Sequence, residues 1–199
     1  MEQLAKIYAT GDGADVIYSA QGRLFRAHRN VLAMRSPVLR AQLFGGMMES
    51  TARLIEVEDM APDVFEALLR YIYTDSLDVD GEVDEDATEV TSHLLVAADR
   101  YGMERLRALC EARLCELVDA GSLVKMLVFA EEQQCEVLKD ACVEFMASSD
   151  GMAKVVASQE YARLRSTHPS VLIDALEKSN KFRGESRLNH SFGGMNIGK

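Results

Sequence analysis

Apolar residues recur at helical spacing through most of this chain, and that pattern limits what it can fold into. Val64, Phe65, Leu68, Leu69, Ile72 and Tyr73 form one stripe, and Leu94, Leu95, Ala97, Ala98 and Tyr101 form a second. Met103, Leu106, Leu109 and Cys110 follow, then Leu123, Val124, Met126, Leu127 and Ala130. Val137, Leu138, Ala141, Cys142, Phe145 and Met146 make another, and Val171, Leu172, Ala175 and Leu176 begin a last one after Pro169. Positions three and four apart share one face of a helix. A helix with a single apolar face is unstable alone and must bury that face against a neighbour. Short connections then favour antiparallel helical hairpins stacked on one another.

The N-terminal third reads differently. Residues 14–20 and 23–27 are strand-like, and Gln21-Gly22 between them is a turn signal, so the pair is expected to form a β-hairpin. Residues 53–58, Arg-Leu-Ile-Glu-Val-Glu, alternate charged and apolar side chains and predict a third strand. Between hairpin and third strand lie two short helical stretches. The first covers 28–35. The second is opened by Ser36 as N-cap with Pro37 at its first position, runs through Leu39 and Leu43-Phe44, and stops at Gly45-Gly46. Ser122 is a candidate cap for the helix that begins at Leu123. The acidic stretch 75–90 is expected to be a solvated loop, and residues 181–199 a disordered tail.

Composition narrows the function. A chain of 199 residues buries roughly 70% of its unfolded surface, enough to fold without disulfides or metal. Its 22 basic and 32 acidic residues give a net charge of -10, which repels phosphate backbones and argues against nucleic acid as a partner. No apolar run is long enough for a bilayer, and Met1-Glu2-Gln3-Leu4 has no signal-peptide pattern. The expected location is cytosol or nucleus, with reduced cysteines.

Motifs for chemistry are scarce. Cys110, Cys115, Cys135 and Cys142 have no C-x-x-C spacing and sit in helical segments, so they read as small buried hydrophobes, and no metal is expected. His28, His93, His168 and His190 form no ligand pair, and His28 reads as a hydrogen-bonded structural histidine. Gly11-Asp12-Gly13 and Gly45-Gly46 match no phosphate-binding loop, and no G-x-S-x-G elbow occurs. The expectation is a binding module and not an enzyme, with no catalytic residue, no cofactor and no small-molecule substrate.

A run of specific residues sharpens this. Ala14-Asp15-Val16 is followed by Phe25-Arg26-Ala27-His28-Arg29-Asn30-Val31-Leu32-Ala33-Met34-Arg35-Ser36-Pro37-Val38-Leu39, which resembles the BTB (POZ) pattern F-x-A-H-[KR]-x-x-L-x-x-R-S-P-x-[FL]. The likeness resumes at Met47-Met48-Glu49-Ser50, at Ile55-Glu56-Val57-Glu58-Asp59-Met60 and at Leu69-Arg70-Tyr71-Ile72-Tyr73-Thr74-Asp75. It closes at residues 94–106 and Cys110-Glu111. The chain is similar to the BTB half of plant MATH-BTB proteins and to the animal speckle-type POZ protein. The helices beyond residue 120 resemble the shortened BACK region of those proteins.

The resemblance implies an α+β fold: a small mixed sheet with helical hairpins, then a short helical extension. Its domains would be a BTB/POZ domain over 1–120, a BACK-like region over 121–180 and the tail over 181–199. It implies a dimeric adaptor that binds cullin-3 in a ubiquitin ligase and pairs with itself or with related BTB proteins. Leu4, Ile7, Val31 and Leu32 would line the dimer interface; covering their own chain's core is the other reading of Leu4 and Ile7. Met47 and Glu49 match the family's hydrophobic-x-Glu motif for cullin, with Tyr73 and Tyr101 as further cullin candidates, though Tyr73 also reads as core. No substrate-binding MATH domain is expected before residue 1, and the alternative expectation is therefore an oligomerisation module without a ligase role, such as a heterodimerising competitor of longer relatives.

Overall fold

The computed structural model describes residues 2–46, 50–77, 85–148, 155–157 and 159–192. The chain divides into two compact units, Met1–Arg113 and Leu114–Lys199. The first unit carries the sheet. Strands β1 (Val16–Ala20) and β2 (Arg23–Ala27) pair antiparallel, and β3 (Leu54–Val57) pairs parallel to β1, giving the order β2-β1-β3. The expected hairpin forms across a two-residue turn. Both of its residues have positive φ, 47° at Gln21 and 85° at Gly22, which suits the right-handed twist of the flanking strands.

Alternation decides which face of the sheet is buried. Val16, Tyr18 and Ala20 of β1, Phe25 and Ala27 of β2, and Ile55 and Val57 of β3 all point inward. They meet helix α4 (Pro62–Thr74), whose Phe65 ring lies 5.3 Å from both Tyr18 and Phe25. Val64, Leu68, Leu69, Ile72 and Tyr73 continue that buried stripe, so α4 is the spine of the first unit. Helix α1 (Glu2–Thr10) has no buried residue and lies against α4, with Tyr8 stacked on Tyr73 at 4.7 Å.

Helices α2 (Arg29–Arg35) and α3 (Pro37–Phe44) connect the hairpin to β3. Ser36 caps α3 as expected, its Oγ accepting from the Leu39 amide at 3.1 Å. Helix α5 (Glu85–Arg100) packs on α4, and α6 (Glu104–Glu116) follows after a tight turn at Gly102. Residues 85–90, expected in a solvated loop, are helical instead: they form the first turns of α5. Thr91, the first fully buried residue described in this helix, donates its hydroxyl to the Ala87 carbonyl. Residues 78–84 of that acidic stretch lie outside the described residues.

The second unit is helical. Helices α7 (Leu123–Glu132) and α8 (Glu136–Ala147) form a hairpin, joined by α9 (Gln159–Thr167) and α10 (Pro169–Phe192). Ser122 does not cap α7 with its side chain. Asp119 does the local work: its Oδ1 accepts from the Gly121 and Ser122 amides at 2.8 and 2.7 Å. Lys139 of α8 is buried between Glu131 of α7 (2.6 Å) and Asp174 of α10 (2.8 Å), tying three helices with one cation. Helix α10 includes residues 181–192, part of the stretch expected to be a disordered tail, whereas 193–199 lie outside the described residues. Among the described residues no helix is long and apolar enough to cross a membrane.

Candidate partner-binding surface

The segment that joins α3 to β3 is where a partner surface is expected, and its attachment is specific. Arg29, at the start of α2, donates its backbone amide to the Asp15 carboxylate at 2.8 Å. Its guanidinium donates to the Ser50 carbonyl at 2.9 Å, closely to the Ala52 carbonyl, and distantly to the Leu43 carbonyl at 3.5 Å. A planar fork of donors is suited to gathering several carbonyls at once. Both ends of this segment are therefore held to α2. Met47 and Glu49, the cullin candidates within it, lie outside the described residues.

A second cluster anchors the end of α4. Asp75 adopts a left-handed backbone (φ 59°), and its amide donates to the Tyr71 carbonyl, closing the helix. Its carboxylate accepts from Arg35 at 2.5 Å and from Arg105 at 2.9 Å, while Arg35 Nε also donates to the Ile72 carbonyl. Nearby, Ser36 Oγ donates to the Tyr101 carbonyl at 2.6 Å. Gly102 (φ 64°) brings the α5–α6 turn onto α3 so closely that an added Cβ would sit 2.9 Å from Pro37 Cγ. Thus α3, the end of α4 and the α5–α6 turn form one continuous surface.

What this surface exposes differs from what the sequence suggests. Tyr73 is buried, and the Tyr101 ring is nearly so, so neither presents its ring to a partner. Burial is also the main reason the Tyr73 hydroxyl is pushed up to about 12. That hydroxyl accepts from the His28 amide at 2.9 Å and lies 2.8 Å from His28 Nδ1. If Tyr73 donates to Nδ1, then Nε2 carries the proton and donates to the Asp12 carbonyl at 2.8 Å, which satisfies every group of a neutral imidazole. His28 is thereby a hydrogen-bonded structural histidine. The exposed side chains are instead Phe44 (55% exposed), Val38, and Met34 (77%) on α2. Phe44 and Val38 were discernible in principle: Leu39 and Leu43 fix the buried stripe of α3 and leave both off it.

The dimer candidates separate similarly. Leu4 and Ile7 of α1 and Val31 of α2 are half-buried, so each keeps apolar surface open. Leu32 is fully buried in the core of its own unit and has no face left for a partner. The thiols of Cys110 and Cys142 are pushed up to about 12 by burial, which suits inert core residues. Among the described residues no group of three or more His, Cys, Asp and Glu is placed to hold a metal ion. A cleft of about 210 Å³ between the β1–β2 turn and α5, floored by Met60, Val64 and Val96, is smaller than usual ligand sites and has room for one side chain.

Residues 4–118 match the BTB/POZ domain model, and residues 122–176 match the model of the BPM/SPOP BACK domain. Three relatives come from Arabidopsis thaliana. BTB/POZ and MATH domain-containing protein 3 is 36% identical over 169 residues, covering 82% of this chain and 41% of that protein. Protein 4 of the same name is 37% identical over 175 residues, covering 83% of this chain and 37% of that protein. Protein 6 is 30% identical over 186 residues, covering 86% and 43%. The chain spans about two fifths of the length of these curated relatives.

Proposed function

The chain belongs to the BTB/POZ domain family, and from that premise we propose that it is a dimeric protein-interaction adaptor that docks on cullin-3 within a ubiquitin ligase. The observation that carries this reading is the succession on one chain of a BTB match and a BACK match of the BPM/SPOP type. In this reading 1–120 is the BTB domain and 121–180 the BACK-like region, acting in cytosol or nucleus.

The two faces divide the work. The half-buried Leu4, Ile7 and Val31 of α1 and α2 meet their counterparts in a second copy or in a related BTB chain. The α3–α4–α6 surface meets cullin-3. Phe44 and Val38 supply rigid apolar contact there, Met47 a deformable apolar anchor and Glu49 a carboxylate for a charged pair. Arg29 and the Arg35–Asp75–Arg105 cluster hold the surrounding backbone in place before binding, which lowers the ordering cost of association.

The test is a calorimetric titration of the full chain with the N-terminal domain of cullin-3, beside Phe44→Ala and the Met47→Ala/Glu49→Ala pair. Tight binding by the wild-type chain that both variants weaken by at least about ten-fold is expected. A folded, dimeric chain that does not bind sinks the ligase reading and leaves an oligomerisation module.

A further inference from the structure

The outer face of the sheet, opposite α4, is a surface that the adaptor reading leaves without a role. The strand register places its residues in two rows. Arg26, Ile17 and Leu54 stand side by side across β2, β1 and β3, and Leu24, Ser19 and Glu56 stand side by side in the next row. Leu24 and Leu54 are 63% and 52% exposed and occupy one diagonal of this array. Arg26 and Glu56, both exposed, occupy the other. Half-buried Ile17 and the small, buried Ser19 lie in the middle, so the centre carries no charge. Among the described residues neither Arg26 nor Glu56 has an ion-pair partner in the chain. At strand spacings their backbone positions stand about 12 Å apart, with Ile17 and Ser19 between them. The stem of Arg26 runs beside Gly11, where an added Cβ would lie 3.4 Å from Arg26 Cδ.

We propose that this face binds the same face of a second copy of the chain, about a two-fold axis along the Leu24–Leu54 diagonal. Rotation about that diagonal exchanges the charged corners. Arg26 of each copy then comes within side-chain reach of the other copy's Glu56, and both leucines lie on the axis against their own equivalents. A two-fold interface must be self-complementary in this way. With strands about 4.8 Å apart and alternate residues about 6.8 Å apart, the strands of the two copies cross at about 70°, closer to orthogonal than to aligned sheet packing. The opposite diagonal placement of unpaired charges makes a second copy the fitting occupant: an unrelated apolar partner would leave both charges buried without compensation. The contact involves neither α1 nor α3, so it is independent of the dimer and of the cullin docking proposed above.

Sedimentation equilibrium of the full chain tests it, run on wild type and on Leu4→Glu/Ile7→Glu, which removes pairing through α1. In both backgrounds Arg26→Glu alone, Glu56→Arg alone and the double exchange are compared, with circular dichroism confirming the fold. Each single change sets like charges opposite one another and is expected to weaken the sheet-face association at least about ten-fold; the double exchange restores it to within about three-fold. A merely structural role for either residue does not produce that rescue. An α1 variant that stays monomeric at all concentrations, or an association indifferent to the exchanges, overturns the proposal. If α1 pairing does not exist, wild type and α1 variant show the same charge-sensitive dimer, so the two readings fail separately.

Discussion

The two units of this chain reach order by opposite means. In Met1–Arg113 the stabilising contacts join residues far apart in sequence: Tyr18 and Phe25 on Phe65, Ser36 on Tyr101, Arg35 on Asp75, Arg29 on Ser50 and Ala52. Many of these are side chains donating to backbone carbonyls. In Leu114–Lys199 the order is mostly that of helical hairpins, with one buried lysine shared by two carboxylates. Contacts distant in sequence fix the shape of loops, whereas helical hairpins fix mainly their own faces. Short irregular stretches such as 50–53 rely on the first kind of support.

Substitutions can break or sharpen this contrast. The largest effect is expected at Phe65. Phe65→Ala removes the ring on which both β1 and β2 rest, and the first unit should lose about 3–5 kcal/mol. Urea unfolding followed through the exchange of β1–β3 amides measures this; a loss below about 1 kcal/mol would refute the account of α4 as the spine. Next, Gly102→Ala should cost about 2 kcal/mol, because the left-handed backbone is strained for alanine and the new methyl meets Pro37. Gly102→Asn, which tolerates that backbone better, should fare no better than alanine if the Pro37 contact dominates; recovery with asparagine would assign the cost to strain alone.

In the second unit, Lys139→Met should cost about 1–2 kcal/mol. That is below the roughly 3–5 kcal/mol of a fully buried pair, since Glu131 and Asp174 are each about half exposed. Faster amide exchange should appear in α7, α8 and α10; exchange confined to α8 would show that the lysine does not tie the three helices.

The smallest effect concerns Asp119. Its carboxyl lies below the ordinary range, chiefly because it accepts from the Ser122 amide. A carboxyl lowered on folding contributes stability that is complete above its unfolded value, about pH 4, and is lost as pH falls through the lowered folded value. Asp119→Ala should cost about 1 kcal/mol at neutral pH and flatten that acid-side decline; an unchanged pH profile would remove Asp119 from the account.

Much of the framework was legible in the sequence. The helical stripes fixed their helices, and Gln21-Gly22 and Ser36-Pro37 fixed a turn and a cap, because each rests on local geometry. What escaped was the pairing of side chains with distant carbonyls. A carbonyl has no sequence identity, so nothing marks Ser50 or Ala52 as acceptors for Arg29. The burial of Leu32 is not evident in the sequence because a short helix leaves two faces equally plausible, and the start of α5 is hidden because charged residues mask a helix whose buried contacts begin later. The cap on Asp119 had a signal, an aspartate three residues before Ser122, that a search for serine alone overlooks.

The Arg29 anchor has a consequence for how such a chain diversifies. The guanidinium grips main-chain oxygens, which every amino acid possesses, at Leu43, Ser50 and Ala52. The mooring itself therefore does not depend on the side chains of Ser50 and Ala52, whereas Leu43 is also fixed by its burial in the core. Under the adaptor reading proposed above, the contacts offered between α3 and β3 can then be retuned without rebuilding the Arg29 anchor.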